Sequence, residues 1–180
     1  KGIALATGDI IGFLHADDQL AYNDAISDIV AAFSDARVCA VYGDLQYVSR
    51  NNPSKVVRTW RSSSYVFGSL KKGWMVAHPT FYVRREWYSR IGGFDLKYKI
   101  SADYLSMLQL FGYHNFHTFY LPRVLVKMRL GGASNKSIFA LIRKLREDWY
   151  SLRHVRYTYI ESILALACKN LGKLSQFFMH

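Results

Sequence analysis

The amino-acid sequence predicts an α/β fold with a mixed, mainly parallel central sheet followed by C-terminal helices. Short apolar runs with the length of buried strands alternate with a segment whose apolar residues recur at helical spacing. After residue 135 these runs stop, and two helical patterns fill the rest of the chain. We therefore divide the 180 residues into an α/β domain over residues 1–135 and a C-terminal helical extension over residues 136–180. We expect this extension to pack on the domain.

The first predicted unit is a strand, a helix and a second strand. The run from Asp9 to Leu14 suits a buried strand, Asn23 is a candidate N-cap, and Val38 to Tyr42 suits the next strand. The helical spacing is carried by Ile26, Ile29, Val30 and Phe33. This order is the βαβ pattern of α/β proteins.

The rest of the domain supplies a hairpin, further strands and two helices. Leu45 to Ser49 and Val56 to Arg61 alternate apolar with polar residues on either side of Asn51-Asn52-Pro53-Ser54, which is turn chemistry. The remaining elements are a strand over Thr80 to Val83, a helix over Arg85 to Ile91 stopped by Gly92-Gly93, a helix from Ala102-Asp103 to Gly112, and strands over Asn115 to Tyr120 and Val124 to Leu130.

Charge and apolar patterning narrow the classes of function. The formal net charge is +11, and residues 136–180 carry eight Lys or Arg against three acids. Such charge suits phosphate-bearing ligands, anionic lipid headgroups or nucleic acid. The chain shows no zinc-finger spacing, aromatic ribonucleoprotein motif or isolated basic recognition helix, so we expect no nucleic-acid partner. No apolar run approaches the roughly 20 residues that a membrane-spanning helix requires.

The chain termini and cysteines give two weaker indications. The first residues lack an initiator Met and a signal peptide and are typical of a helix entering a strand, so we interpret the sequence as beginning within a fold. Cys39 and Cys168 stand in apolar surroundings without a metal-binding spacing, which predicts buried, reduced thiols. A reducing, cytoplasmic compartment follows.

The pair Asp17-Asp18 is the first candidate site. It stands at the carboxyl end of a predicted buried strand, where open α/β sheets bind ligands. Adjacent carboxylates suit Mg²⁺ or Mn²⁺, which take hard oxygen ligands together with substrate phosphates. The alternative is that one of the two aspartates caps the following helix.

Five further residues are candidates for binding or catalysis. Asp103 opens a helix after a glycine-rich loop, and it is either a general base or an ordinary N-terminal helix acid. His78 is either a hydrogen-bond donor to a phosphate or sugar or a partly buried turn residue. Arg129, like Arg84 and Arg85, is a candidate to steady a phosphate or acceptor group.

An ordered series of motifs resembles the bacterial family-two inverting glycosyltransferases, from Lys1 to about Gly132. The series is Ala6-Thr7-Gly8-Asp9, Phe13-Leu14-His15-Ala16-Asp17-Asp18, Tyr42-Gly43-Asp44, His78-Pro79-Thr80-Phe81-Tyr82-Val83-Arg84-Arg85-Glu86, Ile91-Gly92-Gly93-Phe94-Asp95 and Ser101-Ala102-Asp103-Tyr104. The resemblance implies a GT-A fold, a nucleoside-diphosphate-sugar donor and an acceptor-binding half. It also implies that the first strands of that fold would lie upstream of Lys1.

The resemblance also implies roles for the acidic residues. Asp18 corresponds to the direct ligand of Mn²⁺ or Mg²⁺, Asp17 to a contact of the metal shell or donor ribose, and Asp103 to the catalytic base. The sequence departs from the family pattern at His15, where a further acid often stands, and at Ala102, where many members have Glu. These departures leave the coordination details and the acceptor class open.

The expected activity is transfer of a sugar to an acceptor hydroxyl with inversion, in synthesis of a bacterial polysaccharide or cell-surface glycan. We expect the acceptor to be a glycan or a lipid-linked molecule. We also expect the protein to contact the cytoplasmic face of the membrane peripherally. The alternatives are a metal-dependent nucleotidyltransferase or phosphatase, or a non-catalytic fragment.

The C-terminal helical pattern has two interpretations. Its apolar stripe comprises Ile160, Ile163, Leu164, Ala167, Leu171 and Leu174, accompanied by Arg153, Arg156, Lys169 and Lys173. The stripe either packs on the domain or faces an anionic membrane or another subunit, which would make the protein a homo-oligomer.

Overall fold

A six-stranded sheet with helices on both faces forms the centre of the computed structural model, which describes residues 2–130 and 138–175. The strands are β1 (Ile10–Ile11), β2 (Asp18–Leu20), β3 (Val38–Val48), β4 (Val56–Trp60), β5 (Tyr82–Arg84) and β6 (His117–Arg129). The α-helices are α1 (Gly2–Leu5), α2 (Ala25–Ala32), α3 (Arg85–Arg90), α4 (Ala102–Phe111), α5 (Ile138–His154) and α6 (Tyr159–Ser175). Two short 3₁₀ helices span Ser69–Lys72 and His78–Thr80.

The sheet is mixed, as predicted, but it is not mainly parallel in the described part of the chain. The strand order is β1-β5-β3-β6-β2, with β4 paired to β3. Only β3 and β6 pair in parallel, and the other four pairings are antiparallel. The short strand β5 lies between β1 and β3 and runs against both. The predicted βαβ strands therefore point the same way without being neighbours.

Each of two long strands combines segments that the sequence pattern predicts as separate strands. β3 includes both the predicted strand Val38 to Tyr42 and the first hairpin strand, and β4 pairs with it as expected. β6 runs through Pro122, where the sequence predicts a break. Between Tyr42↔Tyr120 and Asp44↔Val124, β6 has two more residues than β3. Pro122 lies in this bulge, where a missing ladder hydrogen bond is tolerated.

The core lies on both faces of the sheet. Successive residues of β3 alternate, so Ala40 and Tyr42 face one apolar cluster and Val41 faces the other. One cluster includes Ile29 and Phe33 from α2 and its C-terminal end. The other combines residues of α3, α4, α5 and α6: Trp87, Tyr88, Tyr104, Met107, Leu108, Leu110, Phe111, Leu152 and Ala165. This layering is that of an α/β domain.

Local signals at the helix ends are confirmed in part. Gly92 and Gly93 both have φ of +75°, which explains the glycine pair after α3. Gly112 ends α4, as predicted. The predicted N-cap Asn23 is wrong, because a turn closed by the Ala25 N–H on the Tyr22 carbonyl moves the start of α2 to Ala25.

Helices α5 and α6 pack against the α/β layers. The buried residues of α5 are Glu147, Asp148, Ser151 and Leu152, in its C-terminal half. α6 crosses the 3₁₀ helix at Ser69–Lys72, and a Cβ at the adjacent Gly73 would lie 2.3 Å from the Lys169 backbone nitrogen. The predicted division at residue 135, the side chains of Lys173 and Leu174, and Phe177-Phe178 lie outside the described part.

The outer surfaces of α5 and α6 are unusually apolar. Side chains more than half exposed are Ile138, Phe139, Leu141, Ile142, Tyr150, Tyr159, Ile160, Ile163, Leu164 and Leu171. None of the described helices is long and apolar enough to span a membrane. Cys39 is buried as predicted, but Cys168 is exposed because it lies on the outer side of α6.

Candidate active site

A cleft of about 460 Å³ lies where the β3–β4 hairpin, the 3₁₀ helix at His78–Thr80 and the C-terminal helices meet. Its lining includes His15, His78 and Asp103 together with Lys144, Asp148 and Lys169. A smaller cavity of about 210 Å³ is lined by Asp17, Arg50, Asn51, Arg129 and Leu130. Leu130 lines both spaces, so the two adjoin at the end of β6.

Asp17 and Asp18 lie at the turn that connects β1 with β2. The Asp18 N–H donates to the His15 carbonyl at 2.9 Å, and Asp18 then opens β2 opposite Met128 of β6. Asp17 is exposed, whereas Asp18 is buried, and its Oδ2 atom has no hydrogen-bond partner in the described chain. Burial raises the pKa of Asp18, although nearby His15 opposes the rise. A buried carboxylate without a donor favours a cation beside it.

This pair fits a divalent ion that obtains most of its ligands from elsewhere. Residues 2–130 and 138–175 contain no group of three or more His, Cys, Asp or Glu side chains that could hold a metal. Two adjacent carboxylates suffice for Mg²⁺ or Mn²⁺ when substrate phosphates and water complete the shell. They do not suffice for a structural zinc site, which needs four protein ligands.

Arg129 lies beside this acidic turn. It is the last residue of β6, and Met128 before it pairs with Asp18. Its Nε atom is buried without a hydrogen-bond partner among the described residues, and its side chain lines the smaller cavity with Asp17. Arg50, from the hairpin turn, adds a second guanidinium that the sequence analysis missed. The cavity therefore presents both a carboxylate and cations, as a metal-bound phosphate group requires.

His78 faces the larger cleft from a short 3₁₀ helix. Its ring stacks on Phe13, with the ring centroids 5.3 Å apart, and lies 6.1 Å from the His15 ring. Burial lowers the pKa of His78, Asp103 acts against that shift, and His15 adds to it. The imidazole is therefore neutral at pH 7 and has one N–H to donate. Its Nδ1 atom is buried without a partner in the described part.

Asp103 lies in the first turn of α4 and lines the same cleft as His78. Its Oδ1 atom accepts the Tyr104 N–H at 2.8 Å. Burial raises the pKa of Tyr88, and the Asp103 charge raises it further. The arrangement supplies a carboxylate at the cleft wall, in reach of a substrate that occupies the cleft.

The loop before Asp103 is held by Glu147 of α5, which the sequence analysis did not identify. Glu147 accepts the backbone N–H groups of Lys99, Ile100 and Ser101 at 3.2, 2.8 and 2.9 Å. Burial would raise the pKa of Glu147, but these three hydrogen bonds bring it below its usual value. α5 thus fixes the backbone that leads into α4, and so positions Asp103.

The next residue, Asp148, is fully buried and accepts from two lysines. Lys144 Nζ and Lys169 Nζ donate to the same oxygen, Oδ2, at 2.7 and 2.9 Å. The Lys169 Nζ atom also lies 3.2 Å from the Tyr104 ring centroid. These contacts join α4, α5 and α6 at the wall of the cleft.

The β3–β4 hairpin contributes a further pair that sequence analysis missed. The Arg58 guanidinium lies 3.8 Å from the Tyr47 ring centroid, and both side chains line the cleft. Burial raises the pKa of Tyr47, Arg58 opposes it, and the Asp18 charge adds to it. Met128 of β6 pairs with Tyr47 on one side and with Asp18 on the other, so Arg58 is a cation on the part of the sheet that carries the acidic turn.

Two motif segments are structural. Asp44 accepts the Ser62 N–H and the Tyr120 hydroxyl, each at 2.8 Å, and a Cβ at Gly43 would lie 2.6 Å from Leu125. Arg84 donates to the carbonyls of Val38 and Phe33, so its guanidinium holds the loop after α2. The sequence makes Arg84 a candidate contact of a phosphate or acceptor group, but these bonds direct it away from the cleft.

Comparisons with known proteins agree with this architecture. The glycosyl transferase family 2 model matches residues 1–92. Two PGL/p-HBAD biosynthesis glycosyltransferases, from Mycobacterium bovis and Mycobacterium tuberculosis, are each 28% identical over 137 residues, covering 75% of this chain and 51% of theirs. The chain therefore spans about half the length of the curated relatives it matches.

A solved mannosyltransferase from Pyrobaculum calidifontis, in complex with GDP-Man and Mn²⁺, has a TM-score of 0.50 and 17% identity over 99% of this chain and 53% of that one. At this identity the likeness concerns the fold, which is the GT-A fold expected from the motifs. With half of its residues matched by the family model, this chain belongs to glycosyl transferase family 2.

Proposed function

We propose that the protein transfers a sugar from a nucleoside-diphosphate sugar to an acceptor hydroxyl with inversion of the anomeric configuration. One observation carries this proposal. The cleft that contains Asp103 adjoins, at Leu130, the cavity that contains Asp17 and Arg129. A donor diphosphate near Asp17, Asp18 and Arg129 would thus extend its sugar toward Asp103.

The acceptor-side chemistry follows from Asp103. Its carboxylate removes the proton from the acceptor hydroxyl as the oxygen attacks the anomeric carbon, and the bond to the diphosphate oxygen breaks on the opposite face. One direct displacement inverts the configuration, so no enzyme nucleophile is required. Glu147 keeps the loop before Asp103 in place.

The donor-side residues bind the diphosphate. Arg129 and Arg58 supply positive charge near the acidic turn, and the neutral His78 imidazole donates to a phosphate or sugar oxygen. Asp18 would be the direct ligand of Mn²⁺ or Mg²⁺, and Asp17 would contact the metal shell or the donor ribose. A divalent ion held there would supply positive charge against the negative charge that develops on the leaving diphosphate.

The proposal is tested by the stereochemistry of the product. Full-length protein is incubated with a panel of nucleoside-diphosphate sugars and lipid extract, and the anomeric configuration of any glycoside is read by NMR. We expect consumption of one donor and a product of inverted configuration. Retention of configuration, or cleavage of nucleotide substrates without sugar transfer, would contradict the proposal.

The surface of α5 and α6 supports a peripheral contact with the cytoplasmic face of a membrane. Both helices expose apolar side chains, with Arg143, Arg146 and Arg156 also exposed. Each of the three acids in this region accepts hydrogen bonds from the protein. Glu147 accepts from backbone N–H groups, Asp148 from lysines, and Glu161 from Lys71 and Thr158. An apolar surface with cations and engaged acids complements anionic lipids. Such a contact would bring the enzyme to a lipid-linked acceptor.

A further inference from the structure

Two lysines from different helices share one buried carboxylate at the wall of the cleft. Lys144 of α5 and Lys169 of α6 both donate to Asp148 Oδ2, and all three residues line the cleft. The side chains of Lys144 and Lys169 are 23% and 10% exposed, and the Asp148 side chain is 0% exposed. The cluster is therefore built by tertiary packing and largely removed from water.

The charges in this cluster do not balance. Counted over these three side chains alone, two ammonium groups and one carboxylate have a positive formal charge, in a place where burial strengthens electrostatic interactions. Burial would raise the pKa of Asp148, but Lys169 and Lys144 hold it below its usual value, so the carboxylate is ionised. A second anion at the cleft surface would offset the excess charge, and the partly exposed Lys144 has N–H groups beyond the one donated to Asp148 with which to bind it.

The cluster lines the cleft of Asp103 and does not line the smaller cavity of Asp17 and Arg129. Lys169 lies over the ring of Tyr104, the residue after Asp103. Asp17 and Arg129, where the donor diphosphate is placed, line the adjoining cavity instead. The lysines therefore lie on the side of the base, where the acceptor enters.

We propose that Lys144 and Lys169, held by Asp148, form an anion-binding subsite for the acceptor. The acceptor then carries a phosphate-class oxyanion near its reacting hydroxyl, and the lysines determine acceptor specificity. This inference rests on the proposed function, because Asp103 defines the acceptor side. The binding of the anion itself does not depend on sugar transfer and can be measured separately.

The test uses inorganic phosphate as the probe with the full-length protein, without donor. Phosphate is titrated at constant ionic strength into the wild type, Lys144→Gln and the control Lys97→Gln, which alters an exposed cation between α3 and α4 that lines neither cavity. We expect Lys144→Gln to weaken phosphate binding by about tenfold, because a charge-assisted hydrogen bond is lost. Lys97→Gln should bind phosphate as the wild type does.

Two further variants identify the source of the effect. Lys144→Arg retains the charge and should bind phosphate within a few fold of the wild type, which separates loss of charge from loss of folding. Asp18→Asn, and addition of a chelator, should leave the difference in phosphate affinity between the wild type and Lys144→Gln unchanged, because the phosphate contacts proposed at the acidic turn are separate from the lysines. Equal phosphate affinity of the wild type and Lys144→Gln, or disappearance of their difference when Asp18 is replaced or the metal is removed, would overturn the acceptor subsite. Failure of sugar transfer with Lys144-dependent phosphate binding intact would instead contradict only the proposed function.

Discussion

At the scale of single residues, Asp18 combines burial, an unpartnered carboxylate oxygen in the described chain, and a neighbouring exposed carboxylate in Asp17. We expect a divalent ion and a nucleoside diphosphate to bind there together, since each completes the coordination of the other. Asp18→Asn should weaken that joint binding by tenfold or more, on the order expected for a lost charged ligand. Calorimetric titration with and without chelator measures it.

The control for this titration is Asp24→Asn, an exposed acid at the start of α2 with no side-chain cap bond. It should leave the joint affinity unchanged. If nucleotide affinity is indifferent to the chelator and to Asp18→Asn, the acidic turn is not a metal site.

Asp103 is the second residue whose role a single substitution resolves. Asp103→Asn keeps the size of the side chain and removes the base, so turnover in the full-length protein should fall by about 10² or more. Donor binding should change little, because Asp103 does not line the cavity of Asp17 and Arg129, where the donor diphosphate is placed. Steady-state kinetics together with donor calorimetry provide the measurement. Near-normal turnover would assign Asp103 to a structural role at the helix start.

The candidate residues differ in how clearly the sequence alone indicates their roles. Asp17, Asp18 and Asp103 stand out because each belongs to a short motif next to a strand or helix end, and the structure brings the motifs to adjoining spaces. In the sequence, Glu147 and Asp148 are typical of the charged residues on the polar face of an amphipathic helix. Apart from Lys144, one helical turn from Asp148, their partners are loop 99–101, more than 45 residues earlier, and Lys169, in the next helix. Only tertiary packing connects such residues.

At the scale of secondary-structure elements, the docking of α6 depends on a glycine outside that helix. Gly73 has φ of +76°, and a Cβ there would lie 2.3 Å from the Lys169 backbone nitrogen. Gly73→Ala therefore has to displace the α6 backbone in addition to straining its own. We expect it to lower the free energy of unfolding by roughly 3 kcal/mol or more, on the scale of overpacking combined with left-handed strain. Denaturant unfolding measures this change.

The chain offers a matched control for the backbone strain. Gly68 flanks the other end of the same 3₁₀ helix with φ of +84°, and no atom lies within 4 Å of its added Cβ. Gly68→Ala should therefore cost only the left-handed strain, about 1–2 kcal/mol. Equal destabilisation by the two substitutions would show that a Cβ at Gly73 does not clash with the α6 backbone. A larger loss at Gly73 would confirm the contact.

The elements themselves were predictable to different degrees. The β3–β4 hairpin and helices α3, α4, α5 and α6 follow from local periodicity and stop signals, and the structure has them. The order of strands does not follow, because β5 is only three residues long and its place between β1 and β3 depends on pairing between distant segments. The continuity of β6 through Pro122 likewise depends on a bulge that only its partner strand reveals.

At the scale of the whole molecule, the C-terminal helices contribute residues to two different surfaces. Their inner residues, Glu147, Asp148, Lys144 and Lys169, build one wall of the cleft. Their outer residues are apolar and exposed. A ligand that approaches along the outer surface would therefore arrive beside the acceptor end of the cleft. This arrangement links the proposed membrane contact with the proposed anionic acceptor.

The membrane contact predicts binding to anionic vesicles through the outer surface of α6. Ile160 and Ile163 are 71% and 58% exposed. Replacing both by Asp removes apolar area and adds like charge toward an anionic membrane, whereas the buried Ala165 of the same helix is untouched. We expect the full-length protein to co-sediment with phosphatidylglycerol-containing vesicles and much less with phosphatidylcholine alone. The double variant should lose most of this binding.

The matched control is Leu96→Asp, since Leu96 is 83% exposed and lies outside α5 and α6. It makes the same kind of change on another surface and should leave vesicle binding intact. Raised salt should weaken binding of the wild type, because each basic residue near an anionic surface contributes about 1 kcal/mol that salt screens. If the double variant and the wild type bind vesicles equally, the apolar surface of α6 does not contact lipid. Concentration-dependent self-association that the double variant abolishes would instead assign this surface to a second copy of the chain.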